Sequence, residues 1–262
     1  MTEPPLELTT VGVPHYPHAI GWDVQEVAAA VNDLARLLER YGFIVHDRSA
    51  QAADLDSTGT MMDEWTEQPS TGSILYWGGH GVGDEKAYVA ALASSKDPLG
   101  RRNGHSHEQF AEALRDRQGL RQDDELGHWV LLILDTCGSR LGARHVFQQM
   151  GDLPNTVVIG TAEAGGAAFA GRFVQQLTAV LEGFGGNDTD GIRVDEVLSR
   201  LRVRLAPEVG SLQRIFGEIH HSITMSLPAS TPPAVQATVD AHREFQAVLA
   251  NVDPRIRNYF FS

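Results

Sequence analysis

Cysteine is nearly absent: Cys137 is the one thiol among 262 residues. No intrachain disulfide can form, and a reduced, cytoplasmic setting is the simplest reading. Long apolar runs are missing too. The longest, "WVLLIL" at 129–134, falls far short of the roughly 20 residues that a membrane-spanning helix needs. The amino-terminal "MTEPPLELTT" has neither the basic stretch nor the apolar stretch of a secretory leader. Positive charge is scarce, with 21 Lys and Arg against 34 Asp and Glu and a formal net charge of −13. That argues against nucleic acid and anionic membrane as partners, because both demand a basic face. It leans mildly toward cationic substrates or partners. Internal repeats and low-complexity tracts are also lacking.

What is present is a soluble globular composition, 42% hydrophobic, with strand and helix signals in alternation. Strands are expected at 6–13, 43–46, 73–77, 87–94, 128–134 and 156–161. The runs "SILYW" and "HWVLLIL" are apolar throughout, as in strands buried on both faces. Val24, Val27, Val31, Leu34 and Leu38 recur at helical spacing over 22–43, and Gly42 is placed to stop that helix. Further helices are expected at 107–117, with Ser106 and Gln109 as a capping box, at 168–184 and at 194–206. Residues 47–72 read as irregular, with a turn of helix near "MMDEW". The pattern predicts an α/β domain with a mostly parallel sheet and helices on both faces. "PASTPP" at 228–233 reads as a linker between residues 1–227 and a helical segment at 234–262. The chain stops at "RNYFFS". Such an aromatic end is expected either to pack back on the core or to be a cut end of a longer polypeptide.

Two of the apolar runs finish unusually. "LYWGGHG" (75–81) places His80 among glycines, and "VLLILDTCGS" (130–139) places Cys137 before another. In parallel sheets, chemistry gathers at the carboxyl ends of strands. A cysteine is a strong nucleophile as thiolate, and histidine is its usual base. Glycine beside each lets a substrate carbonyl come close to backbone N–H donors, here those of Gly81 and Cys137, as an oxyanion hole requires. The alternative is a buried core thiol and a hydrogen-bonded strand-end histidine. The shared placement favours chemistry. So does the spacing of 57 residues, since a caspase histidine precedes its cysteine by about 50.

With those residues in view, the sequence resembles the caspase-fold cysteine peptidases, closest to bacterial metacaspase- and paracaspase-like proteins. "ILYWGGHGVGDEKAYVAAL" resembles the family's strand, Gly-His-Gly stretch and hairpin. "VLLILDTCGS" resembles the strand carrying Asp-x-Cys, and "VVIGTAEAGGAAFAGRFVQQLTAVL" the strand and helix of the small-subunit half. The likeness spans residues 6 to 225 and is weakest at 47–72 and after 206. Gly138 stands where many metacaspases have histidine. The resemblance implies a caspase-like α/β fold, with a mostly parallel central sheet of about six strands flanked by helices. It implies a cysteine endopeptidase with His80 and Cys137 as dyad and the Gly81 and Cys137 amides as oxyanion hole. No cofactor is expected.

It further implies cleavage after Arg or Lys of a protein or peptide substrate, because Asp135, two residues before the nucleophile, falls at the floor of the S1 pocket. Glu163 and Asp23 fall near further acidic S1 positions. Asp135 could equally cap the following helix, and the two roles are compatible. Bacterial relatives of this kind are often parts of larger proteins, some in phage defence or cell death. A C-terminal sensor or NTPase module, or a separate regulatory protein, is therefore an expected partner. Self-cleavage, if any, is expected at the "GRR" loop (100–102). The competing reading is a catalytically silent docking module of the same fold.

Other chemistries lack their motifs. Neither G-x-G-x-x-G nor a P-loop nor a G-x-S-x-G elbow occurs. "HSH" (105–107) and "HH" (220–221) have no cysteine or well-spaced carboxylate beside them, so no metal site is expected. "GGNDTDG" (185–191) has the oxygen-rich look of a calcium loop without the EF-hand spacing, and reads as a solvated turn.

Overall fold

A computed structural model describes residues 5–120, 128–162, 171–184, 192–205, 216–219 and 224–225. All of them lie in one compact unit, Met1–Ala229. The expected linker at 228–233, the helical segment at 234–262 and the "GGNDTDG" turn lie outside the described residues.

A six-stranded sheet forms the middle layer. Its strands are β1 (Leu6–Gly12), β2 (Phe43–Asp47), β3 (Gly72–Gly79), β7 (Trp129–Thr136), β8 (Thr156–Gly160) and β10 (Phe216–Ile219), ordered β10-β8-β7-β3-β1-β2. The first five are parallel, and β10 runs antiparallel at one edge. A second, three-stranded sheet holds β4 (Gly81–Gly83), β5 (Tyr88–Ala91) and β6 (Gly104–Ser106), and β9 (Ile192–Arg193) pairs with β11 (Thr224–Met225).

Alternation along each strand divides the core in two. Leu8, Ile74, Tyr76, Leu131, Ile133 and Ile159 meet helices α1 (Glu26–Glu39), α5 (Arg172–Glu182) and α6 (Val194–Arg204). Leu75, Trp77, Leu132, Leu134 and Val158 meet helices α2 (Leu55–Glu67), α3 (His107–Gly119) and α4 (Ser139–Met150). Strands buried on both sides must be apolar at every position, which is why β3 and β7 carry unbroken apolar runs.

Most elements fall where the sequence patterns put them, and the capping box is formed, with the Ser106 N–H donating to Gln109 Oε1 at 2.8 Å. Three differ. Residues 47–72 are not irregular: a 3₁₀ turn at Ser49–Ala53 leads into α2. Asp54 caps α2 by accepting the Ser57 N–H at 2.9 Å, and Thr58, Met61, Met62 and Trp65 give it a buried stripe at helical spacing. The first helix starts at Glu26 rather than near Trp22, because Asp23 bonds to the preceding loop. The strand expected over 87–94 ends at Ala91, where the Leu92 N–H turns to the Ser95 hydroxyl at 2.8 Å. Among the described residues, no helix is long and apolar enough to cross a membrane.

The chain grows outward from β1 in two directions, first to β2 and then back across to β3, β7 and β8. At such a reversal, the loops leaving the two central strands diverge to opposite faces and leave a crevice outside their carboxyl ends. Here that crevice lies between the ends of β1 and β3.

Candidate active site

The register of β3 against β7 pairs Gly78 with Asp135 and Gly79 with Thr136. The next residue on each chain is His80 and Cys137. Two distant sequence stretches are thereby brought to neighbouring strand ends, and both residues are half-buried rather than sealed in the core. After Gly138, which has φ +65, α4 begins at Ser139. Asp135 is therefore not the cap of α4, and the capping reading of that residue does not hold.

The imidazole of His80 is held from three directions. Its Nε2 lies 2.6 Å from the Trp22 carbonyl, and the His80 backbone N–H donates to the Tyr16 hydroxyl at 2.8 Å. The Tyr16 and Trp22 rings pack against it at centroid distances of 5.1 and 5.3 Å. A carbonyl only accepts, so Nε2 carries the proton, and Nδ1 is left as the basic nitrogen.

The glycines around His80 have steric reasons. Gly79 has φ +147, and a Cβ there would stand 2.6 Å from the Tyr16 hydroxyl. A Cβ at Gly81 would meet Thr136 Oγ1 at 2.6 Å and the Cys137 carbonyl at 3.0 Å. Bare backbone is what lets the histidine strand lie against both the tyrosine loop and the cysteine strand.

The Gly81 N–H is not used in the β4–β5 pair. In the antiparallel β4–β5 pair, Ala91 N–H bonds the His80 carbonyl and Asp84 N–H bonds the Ala87 carbonyl, both at 2.9 Å. Antiparallel ladders alternate bonded and non-bonded pairs, so Gly81, opposite Ala90, turns its N–H away from β5. The sequence reading missed a further bond beside the cysteine, between the Tyr88 hydroxyl and Thr136 Oγ1 at 2.5 Å.

Asp135 is 4% exposed and continues the face of Leu131 and Ile133. Its Oδ2 accepts from the Tyr76 hydroxyl at 2.8 Å and its Oδ1 from the Thr161 hydroxyl at 2.5 Å. Burial pushes its carboxyl above the usual range, and the two hydroxyls only partly offset this. Both partners are neutral, and no cation contacts the carboxylate among the described residues. Asp23 is placed differently. Its Oδ1 accepts the Tyr16 N–H at 2.8 Å, and its Oδ2 stands 3.5 Å from His15 Nδ1. It is exposed, and it follows Trp22, whose carbonyl holds His80. Glu163 lies outside the described residues.

Tyr16 and Trp22 were not found by sequence reasoning. The only available signal was two aromatic residues in a Pro- and His-rich connection directly after the first strand. No group of three or more His, Cys, Asp or Glu suited to a metal occurs among the described residues. Of the "HSH" run, His105 is buried between aromatic rings and His107 begins α3.

No protein-family model matches this sequence, and no curated protein matches it. Among solved structures, the chain is similar to Dronc, an initiator caspase of Drosophila, with a TM-score of 0.57 and 13% identity, over 81% of this chain and 78% of that one. The chain is an α/β protein of caspase-like fold. At such identity the likeness speaks for the fold, and the chemistry has to be argued from the residues.

Proposed function

We propose that the chain is a cysteine endopeptidase using His80 and Cys137. The observation that supports this reading is the β3–β7 register, which ends at Gly79 opposite Thr136, one residue before His80 and Cys137, together with the Trp22 carbonyl that takes the His80 Nε2 proton. Cys137 Sγ attacks the scissile carbonyl carbon, and its proton passes to His80 Nδ1. The developing oxyanion is met by the Gly81 and Cys137 N–H groups. His80 then gives the proton to the departing amine, leaving a thioester that water hydrolyses.

The same reading extends to the substrate. Asp135 is a buried carboxylate whose hydrogen bonds come from neutral hydroxyls, so its charge lacks a counterion among the described residues. A P1 guanidinium or ammonium supplies one, whereas a P1 carboxylate is repelled. The net charge of −13 favours approach of a basic segment.

The test is hydrolysis of a peptide library varied at P1. Turnover after Arg or Lys is expected, and its loss in both Cys137→Ala and His80→Ala. Wild-type-like turnover in either variant, or preference for P1 Asp, overturns the respective claim. A cysteine-reactive peptide probe separates the peptidase from a silent docking module, which leaves Cys137 unlabelled.

A further inference from the structure

The connection between β1 and α1 is tied to the histidine more tightly than a link between two elements requires. It folds on itself through Ala19 N–H to the Tyr16 carbonyl at 2.9 Å, Trp22 N–H to the Ala19 carbonyl at 3.2 Å and Val24 N–H to the Pro14 carbonyl at 2.9 Å. Asp23 closes the loop by accepting the Tyr16 N–H at 2.8 Å. The Tyr16 and Trp22 rings meet edge to face, 5.7 Å apart. Out of this one loop come the hydroxyl that accepts the His80 N–H, the carbonyl that accepts from its Nε2, and both rings packed on the imidazole.

Two hydrogen bonds and two ring contacts of the loop converge on His80. Tyr16 is 2% exposed, yet its hydroxyl is spent on the backbone of His80 rather than on the loop's own. Gly79 leaves room for that hydroxyl where a Cβ would stand 2.6 Å from it. Burial keeps the phenol neutral. The Tyr16 amide is the main influence holding the Asp23 carboxyl below its ordinary value, so Asp23 stays ionised as the tie.

We propose that Tyr16, anchored by Asp23, is the positioning residue of the dyad: it fixes the height of His80 so that Nδ1 faces Cys137. This rests on the peptidase reading above. It gives Asp23 a role through His80 rather than through the P1 side chain.

The experiment is the rate of Cys137 alkylation by iodoacetamide as a function of pH, in the full chain. Iodoacetamide has no P1 group, so an S1 role for Asp23 leaves its rate unchanged. In the wild type, a histidine-paired thiolate reacts well below the ordinary thiol titration near pH 8.5. Tyr16→Phe keeps the ring and loses the hydroxyl. Its alkylation rate at pH 7 is expected to fall about 10- to 100-fold, the scale of a misplaced catalytic group, with the profile displaced toward that of a free thiol. Asp23→Ala moves the profile the same way. Asp23→Asn, which keeps an oxygen for the Tyr16 amide, recovers most of what Asp23→Ala loses.

Lowered melting temperatures with an unmoved pH profile overturn the proposal, because a merely structural residue behaves so. If Tyr16→Phe does not fold, the Asp23→Ala and Asp23→Asn pair carries the same comparison. A wild-type Cys137 that titrates as an ordinary thiol overturns the peptidase reading and this proposal together. An activated wild type with unaffected variants overturns this proposal alone.

Discussion

Asp135 shows how one residue can burden the fold and serve the site. Its carboxyl is raised by burial, so the folded protein binds that proton more tightly than the unfolded chain does. The sign follows from linkage. Below the ordinary carboxylate range the burden is absent. It grows as pH rises above that range toward the raised folded value and is complete above it. Asp135→Asn keeps an oxygen and an amide for the Tyr76 and Thr161 hydroxyls while removing the charge. Its melting temperature at neutral pH is expected to exceed the wild type's, with the difference vanishing in acid. Its kcat/KM for P1 Arg is expected to fall by a factor of tens or more, on the scale of about 2–5 kcal/mol for removing a buried ionic partner. Thermal melts across pH and peptide kinetics check the two arms. A variant as fast on Arg as its parent removes Asp135 from the S1 pocket.

At the scale of elements, the strand ends are legible in the sequence because chemistry there interrupts a strong pattern. Gly-His-Gly and Asp-x-Cys each close a continuous apolar run, and a parallel sheet sets such ends side by side. Helix α2 is poorly legible because it carries Gly59, Ser57 and three threonines, and its buried stripe of Thr58, Met61, Met62, Trp65 and Thr66 includes two of those threonines. Tyr16 and Trp22 are illegible for another reason. Loop residues obey no period, and their value comes from contacts with a residue 64 and 58 positions away.

The start of α3 hides a similar case. His105, on β6, is stacked on Trp77 at 5.4 Å and set against the edge of Phe110 at 4.4 Å. Neither of its ring nitrogens has a hydrogen-bond partner among the described residues. Burial lowers its pKa from 6.5 to about 3. The depressed pKa itself carries no penalty above 6.5, and stability is lost as pH falls from 6.5 toward 3, by about 1.4 kcal/mol per pH unit at most. His105→Phe keeps the ring plane and removes two unsatisfied nitrogens. It is expected to raise stability by about 1–3 kcal/mol at pH 7 and to flatten the acid limb. Denaturant melts at pH 7 and pH 5 measure both, and an unchanged acid limb would show that the ring is not buried neutral.

For the whole molecule, the question is whether a peptidase with this specificity cuts its own chain. The "GRR" loop at 100–102 is exposed, which makes it the sequence's best candidate. The structure closes it instead. Asn103 accepts the Gly100 N–H at 2.8 Å through its side chain, donates to the Lys96 and Pro98 carbonyls at 2.9 and 3.3 Å, and returns its own N–H to the Gly100 carbonyl at 2.9 Å. Arg101 is paired with Glu108 at 2.5 Å. A peptidase takes its substrate extended, so these bonds must break before cleavage. At about 1 kcal/mol each, opening costs on the order of 4–5 kcal/mol, which leaves an open population near 10⁻³ to 10⁻⁴. Arg140 and Arg144, after the nucleophile, lie within α4 and are closed by its helical bonds. Incubated wild type is therefore expected to yield no fragment ending at Arg101, Arg102, Arg140 or Arg144, matching Cys137→Ala by intact mass. Asn103→Ala removes three of the side-chain bonds and should open the first loop. Fragments ending at Arg101 or Arg102 that appear in Asn103→Ala, but not in Asn103→Ala combined with Cys137→Ala, would confirm both the closure and the basic P1 preference. The same fragments from the wild type would show that the turn does not protect the loop.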